Sequence, residues 1–451
     1  MTQASAPPHE SAGEQPGGLP AASLGESLRF VALGLLPTLA RGLFSARERM
    51  VSLMAKLDTD ARAIRAISDI RRAHPGQGAR LLGGRMVLLW GTDAIREVLD
   101  RSADVYASDA GAKGKGMCHF QPDALTMSRG EEWRDRRAFN ESVLATSESL
   151  HPDADRFVAV VADEVSRVYM ADGLTWSDWE KLFDRITLRV IFGDRARDET
   201  EITALLDKLM AEANRLVGLS EGDDYFEFYG RLERQLRDPE PGSLVARFAD
   251  APQTDVTRVA HQLPHWIFAM RNTLGANAWR ALAIIAADPE IERRALEEVE
   301  EADLSRSADV DGLRYLEGSL SEAMRLWPTT PILARETTRE TTLVGQKLDE
   351  GTQVMIFNTF NHRDHAQVED ADSFRPDRWS SGERDYRFNH LSNGSQDCPG
   401  GPLVYLLAKA ILANVIGRCD LTLREPALDP QAPLPYTLDP FTTQFSTQPR
   451  A

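Results

Sequence analysis

The 451 residues predict a single large, mainly α domain with a long central helix and a small β portion. Three observations carry that expectation. Apolar residues recur at three- and four-residue steps through most of the chain. Strand-like runs are few and short. No composition break or internal repeat separates two cores, although the length alone would allow two or three domains.

The first residues, MTQASAPPHESAGEQPGGLPAASLG, are rich in Pro, Gly, Ala and Ser and lack a cationic leader. Residues 1–25 therefore read as a disordered tail ahead of a domain spanning 26–451. The segment SLRFVALGLLPTLARGLFSARERM is more apolar. Its uncharged run, Phe30 to Ala40, contains Pro37 and is too short to span a bilayer. It reads as a helix packed on the protein, the alternative being one that lies on a membrane. RMVLLWG (85–91) reads as a strand, and TTLVGQKL with TQVMIFN as a hairpin turning at Glu350-Gly351. From Val256 to Ala287 the pattern predicts one long helix, apolar nearly all round and hence central, which Pro264 kinks or restarts. Beyond Glu425, prolines lead to turns and a short β pair in YTLDPFTTQFST.

Net charge is −17, from 69 acidic and 52 basic residues. That balance promotes solubility and argues against nucleic acid as a partner. Cys118, Cys398 and Cys419 lie far apart, so free thiols in a reducing, cytoplasmic setting are expected rather than a disulfide framework. The 9 histidines show no zinc-binding spacing.

One cysteine stands out. NGSQDCPGG holds Cys398 in a turn, directly before the apolar run PLVYLLAKAILANVIG. A helix beginning near Pro402 points its positive end at that loop, and Gly394, Gly400 and Gly401 let N–H groups approach the sulfur. Both effects lower a thiol's pKa, which suits a nucleophile or a metal ligand. Taken alone, a loop cysteine with no role is the commoner case. Upstream, SLSEAMRLWP puts Glu322 and Arg325 on one helix face. Glu131/Arg134, Glu290/Arg293 and Glu336/Arg339 share that spacing, where solvated surface pairs suffice.

The order GEEWRDRR, FAMRNT, EAMR, FRPDRW and GSQDCPGGPL resembles the cytochrome P-450 family of haem-thiolate enzymes, bacterial type, from about Ser27 to the end. No single motif is specific, but five in sequence over about 265 positions are. The resemblance implies haem b (iron protoporphyrin IX) with Cys398 as the iron ligand, since a thiolate favours O–O cleavage. It implies a buried ion network of Glu322, Arg325 and Arg378, and propionate contacts from Trp133, Arg137 and Arg335. Leu391, Ser392 and Gln396 depart from the usual Phe, Gly and cationic residue, so retention leans on Arg137 and Arg335. On the central helix, Asn272 and Thr273 fall at the acid–alcohol pair, with Ala269 at the small-residue position on Thr273's face. Asn272 orients a water but cannot relay a proton as a carboxylate does. Met270 narrows the oxygen groove. Arg271, roughly 200° round the helix from Ala269, is expected to form a salt bridge away from the haem, the alternative being a substrate carboxylate.

The residues expected to face substrate are Ile267, Phe268, Met270, Leu274, Thr330, Ile332, Leu333, Phe441 and Thr442, with MCHFQPDALTM closing the chamber. The implied activity is a monooxygenase that hydroxylates or epoxidises a hydrophobic small molecule, in secondary metabolism. Its electrons would come from a separate ferredoxin or flavodoxin-type donor, docked on Lys113, Lys115, Arg129, Arg134 and Arg136. Two other readings stand beside it. A peroxide-driven or isomerase-like relative is suggested by the missing acid and opposed by Thr273. A non-catalytic haem-binding protein is the third.

Overall fold

The computed structural model describes residues 18–109, 111–168, 173–382 and 384–450. Order begins before residue 26. Leu19 is buried, Ala21 bridges Arg80, and Ser23 opens a helix at Leu24 through a capping box with Glu26. The expected tail is therefore too long by several residues at its end, because this short apolar and capping pattern finds a strand edge to pair with. Residues 1–17 lie outside the described ones. The helical run 24–41 packs on helix Thr59–Ala73, with Phe30 wholly buried and its ring 6.1 Å from that of Phe357. Leu24, Leu28, Leu36 and Leu39 stay exposed. Among the described residues, no helix is long and apolar enough to cross a membrane.

The strands are β1 Gly78–Leu81, β2 Met86–Leu89, β3 Tyr106–Ala107, β4 Ile332–Thr337, β5 Thr341–Leu343, β6 Gln346–Leu348, β7 Gln353–Phe357, β8 Cys419–Glu425 and β9 Gln444–Pro449. Five form a sheet in the order β1-β2-β7-β4-β3, with only β2 and β7 parallel. The expected hairpin is corrected here. TTLVGQKL closes on itself as β5–β6, turning at Val344 and Gly345, both at positive φ. That backbone suits a two-residue hairpin turn. TQVMIFN instead becomes β7, whose apolar run is stable only between two neighbours.

The central helix starts at Leu263, later than expected, with Pro264 in its first turn, where the missing N–H is no loss. It continues to Ile285 and widens into an i→i+5 turn over Ala269–Leu274. Asp288 then caps the next helix by accepting from the Glu290 N–H at 2.8 Å. The central helix, the cysteine helix Gly401–Ile416 and helix Arg314–Leu326 share the main core. Each fully buried Leu or Ile there contributes about 1.5–3 kcal/mol.

Candidate functional site

Cys398 sits one turn before the cysteine helix. Its N–H donates to the Leu391 carbonyl at 2.9 Å, and its own carbonyl accepts from the Gly401 N–H at 3.2 Å. Gly394 makes the loop possible: φ is +69°, and a Cβ there would lie 2.4 Å from the Leu99 carbonyl. Its role is thus close packing on helix Thr92–Asp100, not donation to sulfur. The Gly400 N–H does reach the sulfur. The expected lowering of the thiol's pKa does not follow. Burial pushes it up, outweighing the Gly400 N–H and the Arg137 charge, while Asp397 adds to the rise.

Below this loop lies a closed charge cluster. Glu322 and Arg325 are both fully buried and doubly bonded, at 2.7 and 2.8 Å. Arg325 also donates to the carbonyls of His362, Ala371 and Ser373. Arg378 reaches Glu322 at 3.3 Å. Two donors went unread in the sequence: the Trp379 indole at 3.0 Å and the Arg375 backbone N–H at 2.8 Å. The run FRPDRW contains both, so the signal was present but only Arg378 was taken from it.

Arg137 departs from expectation. Its guanidinium donates to the Asp397 carbonyl (2.7 Å), the Asp397 carboxylate (2.6 Å) and Glu141 (2.6 Å). Two carboxylates therefore claim it, and it braces the cysteine loop instead of facing an open anion site. Arg335 is claimed by fewer protein groups. It is 4% exposed and donates only to Ser102 Oγ (2.9 Å) and the Ala334 carbonyl (3.0 Å). Burial lowers its pKa to about 10, and no carboxylate pairs with it among the described residues. Beside Ser102, Trp133 and Gln396 line a cleft of about 290 Å³, and Gln396 Oε1 is buried without a partner.

The central helix presents two faces. Trp266, Ile267, Met270, Leu274 and Ala278 are buried in the main core, while His265, Phe268, Ala269, Asn272, Thr273 and Ala276 keep accessible surface although they lie inside the fold. Ile267, Met270 and Leu274, expected to face substrate, are buried among the residues of the main core. Ala269, Asn272 and Thr273 share the open face, and Asn272 Oδ1 is buried without a partner. Arg271 is bidentate to Asp207 at 2.5 and 2.7 Å and also pairs with Asp184. Phe441 packs edge-on against Trp176 at 5.6 Å, and Thr442 is exposed on its turn. Leu333 lies on Arg335's side of β4 and Ile332 on the other, by strand alternation. Thr330 is exposed, its carbonyl accepting from Asn358.

The expected docking patch is dispersed. Arg129 is held by Asp109, Arg134 by Glu131, and Arg136 is buried against Ser128 and the Val256 carbonyl. Lys113 turns inward, leaving Lys115 exposed.

The residues fit a haem: an enclosed thiol that can ligate iron and a buried cation without a carboxylate partner that can meet a propionate. Comparison with known proteins agrees. Residues 257–438 match the profile of the Cytochrome P450 family. The chain is 27% identical over 168 residues to "Cytochrome P450 4V2" of Mus musculus, covering 35% of this chain and 32% of that one. It is 24% identical over 288 residues to "Beta-amyrin 24-hydroxylase" of Glycine max, covering 52% and 56%. "Pluviatolide synthase" of Sinopodophyllum hexandrum is 22% identical over 373 residues, covering 73% and 76%. The chain thus spans about a third to just over half the length of the first of these relatives. All three are animal or plant proteins, which lends no support to a bacterial type.

Proposed function

The chain belongs to the cytochrome P450 family, and on that premise we propose that it is a haem-thiolate monooxygenase acting on a hydrophobic small molecule. The observation that carries this reading is the enclosed Cys398 at the head of an apolar helix, above the closed Glu322–Arg325–Arg378 cluster. Haem, when bound, would supply the electron-accepting and oxygen-activating chemistry. Cys398 Sγ would ligate its iron, with the Gly400 N–H stabilising the thiolate charge. Trp133, Gln396 and Arg335 would meet the propionates.

On the other side, Ala269 leaves room, while the Thr273 hydroxyl and the Asn272 amide hold and orient water. Phe268 and Leu333 make the wall apolar and keep bulk water out. The printed names of the relatives include a hydroxylase, which supports hydroxylation as the outcome. A separate ferredoxin or flavodoxin-type protein would deliver electrons. Reduced protein exposed to carbon monoxide should show a red-shifted Soret band that Cys398→Ser loses; an identical spectrum in the variant sinks the assignment.

Asn272 favours a second reading, peroxide-driven oxygenation, because no carboxylate occupies that position. Arg271, claimed by Asp207 and Asp184, leaves no cation at that point of the helix for a substrate acid. Turnover with hydrogen peroxide but none with a reduced ferredoxin would select this reading. Asn272→Asp should speed ferredoxin-driven turnover under the first.

A further inference from the structure

The face of the central helix that carries Ala269 and Thr273 also carries His265, one turn before Ala269. Asn272 and Thr273 serve the proposed reaction, and His265 has no part in it. At a rise of about 1.5 Å per residue, its Cα lies roughly 12 Å along the axis from that of Thr273. Phe268 and Ala269, both apolar, lie between them. The His265 ring is 6.1 Å from that of Phe268.

The imidazole is enclosed by protein yet bonded to none of it. Neither nitrogen has a hydrogen-bond partner among the described residues, and Nδ1 is shut off from solvent as well. Orphaned polar atoms thus stand at both ends of the face, His265 Nδ1 at one and Asn272 Oδ1 at the other. The polar groups next along the chain are already engaged. Gln262, one turn earlier, accepts from the Leu125 N–H at 2.9 Å and donates to the Asp123 and Thr257 carbonyls at 2.8 and 2.9 Å. Beside Leu125, Thr126 Oγ1 accepts from Lys113 Nζ at 3.0 Å. Lys113 stands on a helix where Gly114 and Gly116 leave no room for a Cβ against the Asp109 carbonyl and the Phe44 ring. The loop 123–126 therefore closes on this end of the helix without offering the imidazole a bond. A buried polar ring left this way keeps the full cost of its lost hydration unless something else bonds it. Burial, with the Lys113 charge, lowers its pKa to about 4, so the ring is neutral at neutral pH. It then has one N–H and one bare nitrogen. A hydroxyl both donates and accepts and so satisfies either, whereas an ether or ketone oxygen satisfies only the N–H.

We propose that His265 determines substrate specificity by binding a hydroxyl of an otherwise apolar molecule. The body of that molecule runs along Phe268 and Ala269, and the carbon to be oxidised lies at the Thr273 end, roughly 12 Å from the hydroxyl. Which end reacts rests on the haem-thiolate reading; the hydroxyl contact itself does not.

The test uses the full chain supplied with haem, the variants His265→Leu and His265→Gln, and decanol as probe beside chlorodecane, which makes no such bond. Calorimetric titration reads binding whatever ligates the iron. Wild type should bind decanol about tenfold or more tightly than chlorodecane, the size expected for one hydrogen bond to an orphaned group. His265→Leu should bind the two alike, and His265→Gln, which keeps a donor and an acceptor, should recover part of the preference. No preference in wild type, or one that His265→Leu keeps, overturns the proposal. So does a preference for decanoate over decanol that Lys113→Met loses and His265→Leu keeps, since the anchor is then the lysine. Without any ligand, haem-free His265→Leu should melt at or above the temperature of haem-free wild type, because an unbonded buried ring is gone. A lower melting temperature, or a chain that fails to fold, makes the ring a support of the fold and overturns the proposal as well. Failure of the haem reading is separate: it appears as a missing red-shifted band in wild type, with the decanol contact still readable by calorimetry.

Discussion

Glu322 and Arg335 are both buried charge, and they are completed in opposite ways. Five donors converge on the two oxygens of Glu322, from Arg325, Arg378, Trp379 and the Arg375 backbone. Arg335 has one hydroxyl and one carbonyl. A closed cluster holds the fold whether or not anything is bound. An open one waits for a ligand, because its cost is recovered only on binding. The same residue chemistry thus marks structure in one place and recognition in the other.

The comparison breaks most sharply at Glu322. Glu322→Ala strands Arg325 as an uncompensated buried cation and should cost about 3–5 kcal/mol in urea unfolding. Arg335→Met should do the reverse: little or no loss of stability in the haem-free protein, with haem released about tenfold or more faster to apomyoglobin.

Acid should act on the closed side next. His362 accepts from the Asn389 N–H at 2.8 Å and lies 3.2 Å from the Arg325 carbonyl, an arrangement that needs a neutral ring. Burial holds its pKa well below the usual value, and that of His390 at about 4. Both folded-state values lie below the unfolded one, so their contribution is present above about pH 6.5 and is lost as pH falls towards 4. Unfolding free energy should decline across that window, and His390→Phe should flatten the slope. An unchanged slope would remove His390 from the account.

The smallest effect is expected at Arg384, which pairs with Asp397 at 2.6 Å while 55% exposed. Arg384→Ala should change stability by less than about 1 kcal/mol. A larger loss would mean that the cysteine loop depends on both arginines of Asp397 and not on Arg137 alone.

Much of the site was legible because its parts are local. Glu322 and Arg325 are three residues apart on one helix, and Cys398 precedes its helix by one turn; the order of the motifs that hold them, and not the spacing alone, singled them out. The bond from Arg137 to Asp397 was not legible, because the two lie 260 residues apart and no spacing announces that contact. Ile267, Met270 and Leu274, which the structure buries in the main core, were hard to place for another reason. Their helix is apolar on every side, so periodicity gave no hint of which side faces the open chamber. Phe441 and Thr442 depend on where a long proline-rich loop comes to rest. Lys113 carried a signal that was not used: lysines between glycines in GAKGKG, where the missing side chains meant close packing.

Length, periodicity and a handful of ordered motifs were thus enough to establish a mainly α domain, its central helix, its cysteine loop and its buried Glu–Arg pair. These follow from backbone preferences and from contacts within a few residues. Only the tertiary structure decided the pairing of the strands, the open face of the central helix, the diversion of Arg137 to Asp397 and the burial of Arg335 without a carboxylate partner. Each of those depends on which surfaces come together across hundreds of residues, and on how burial then raises the cost of any charge left without a partner.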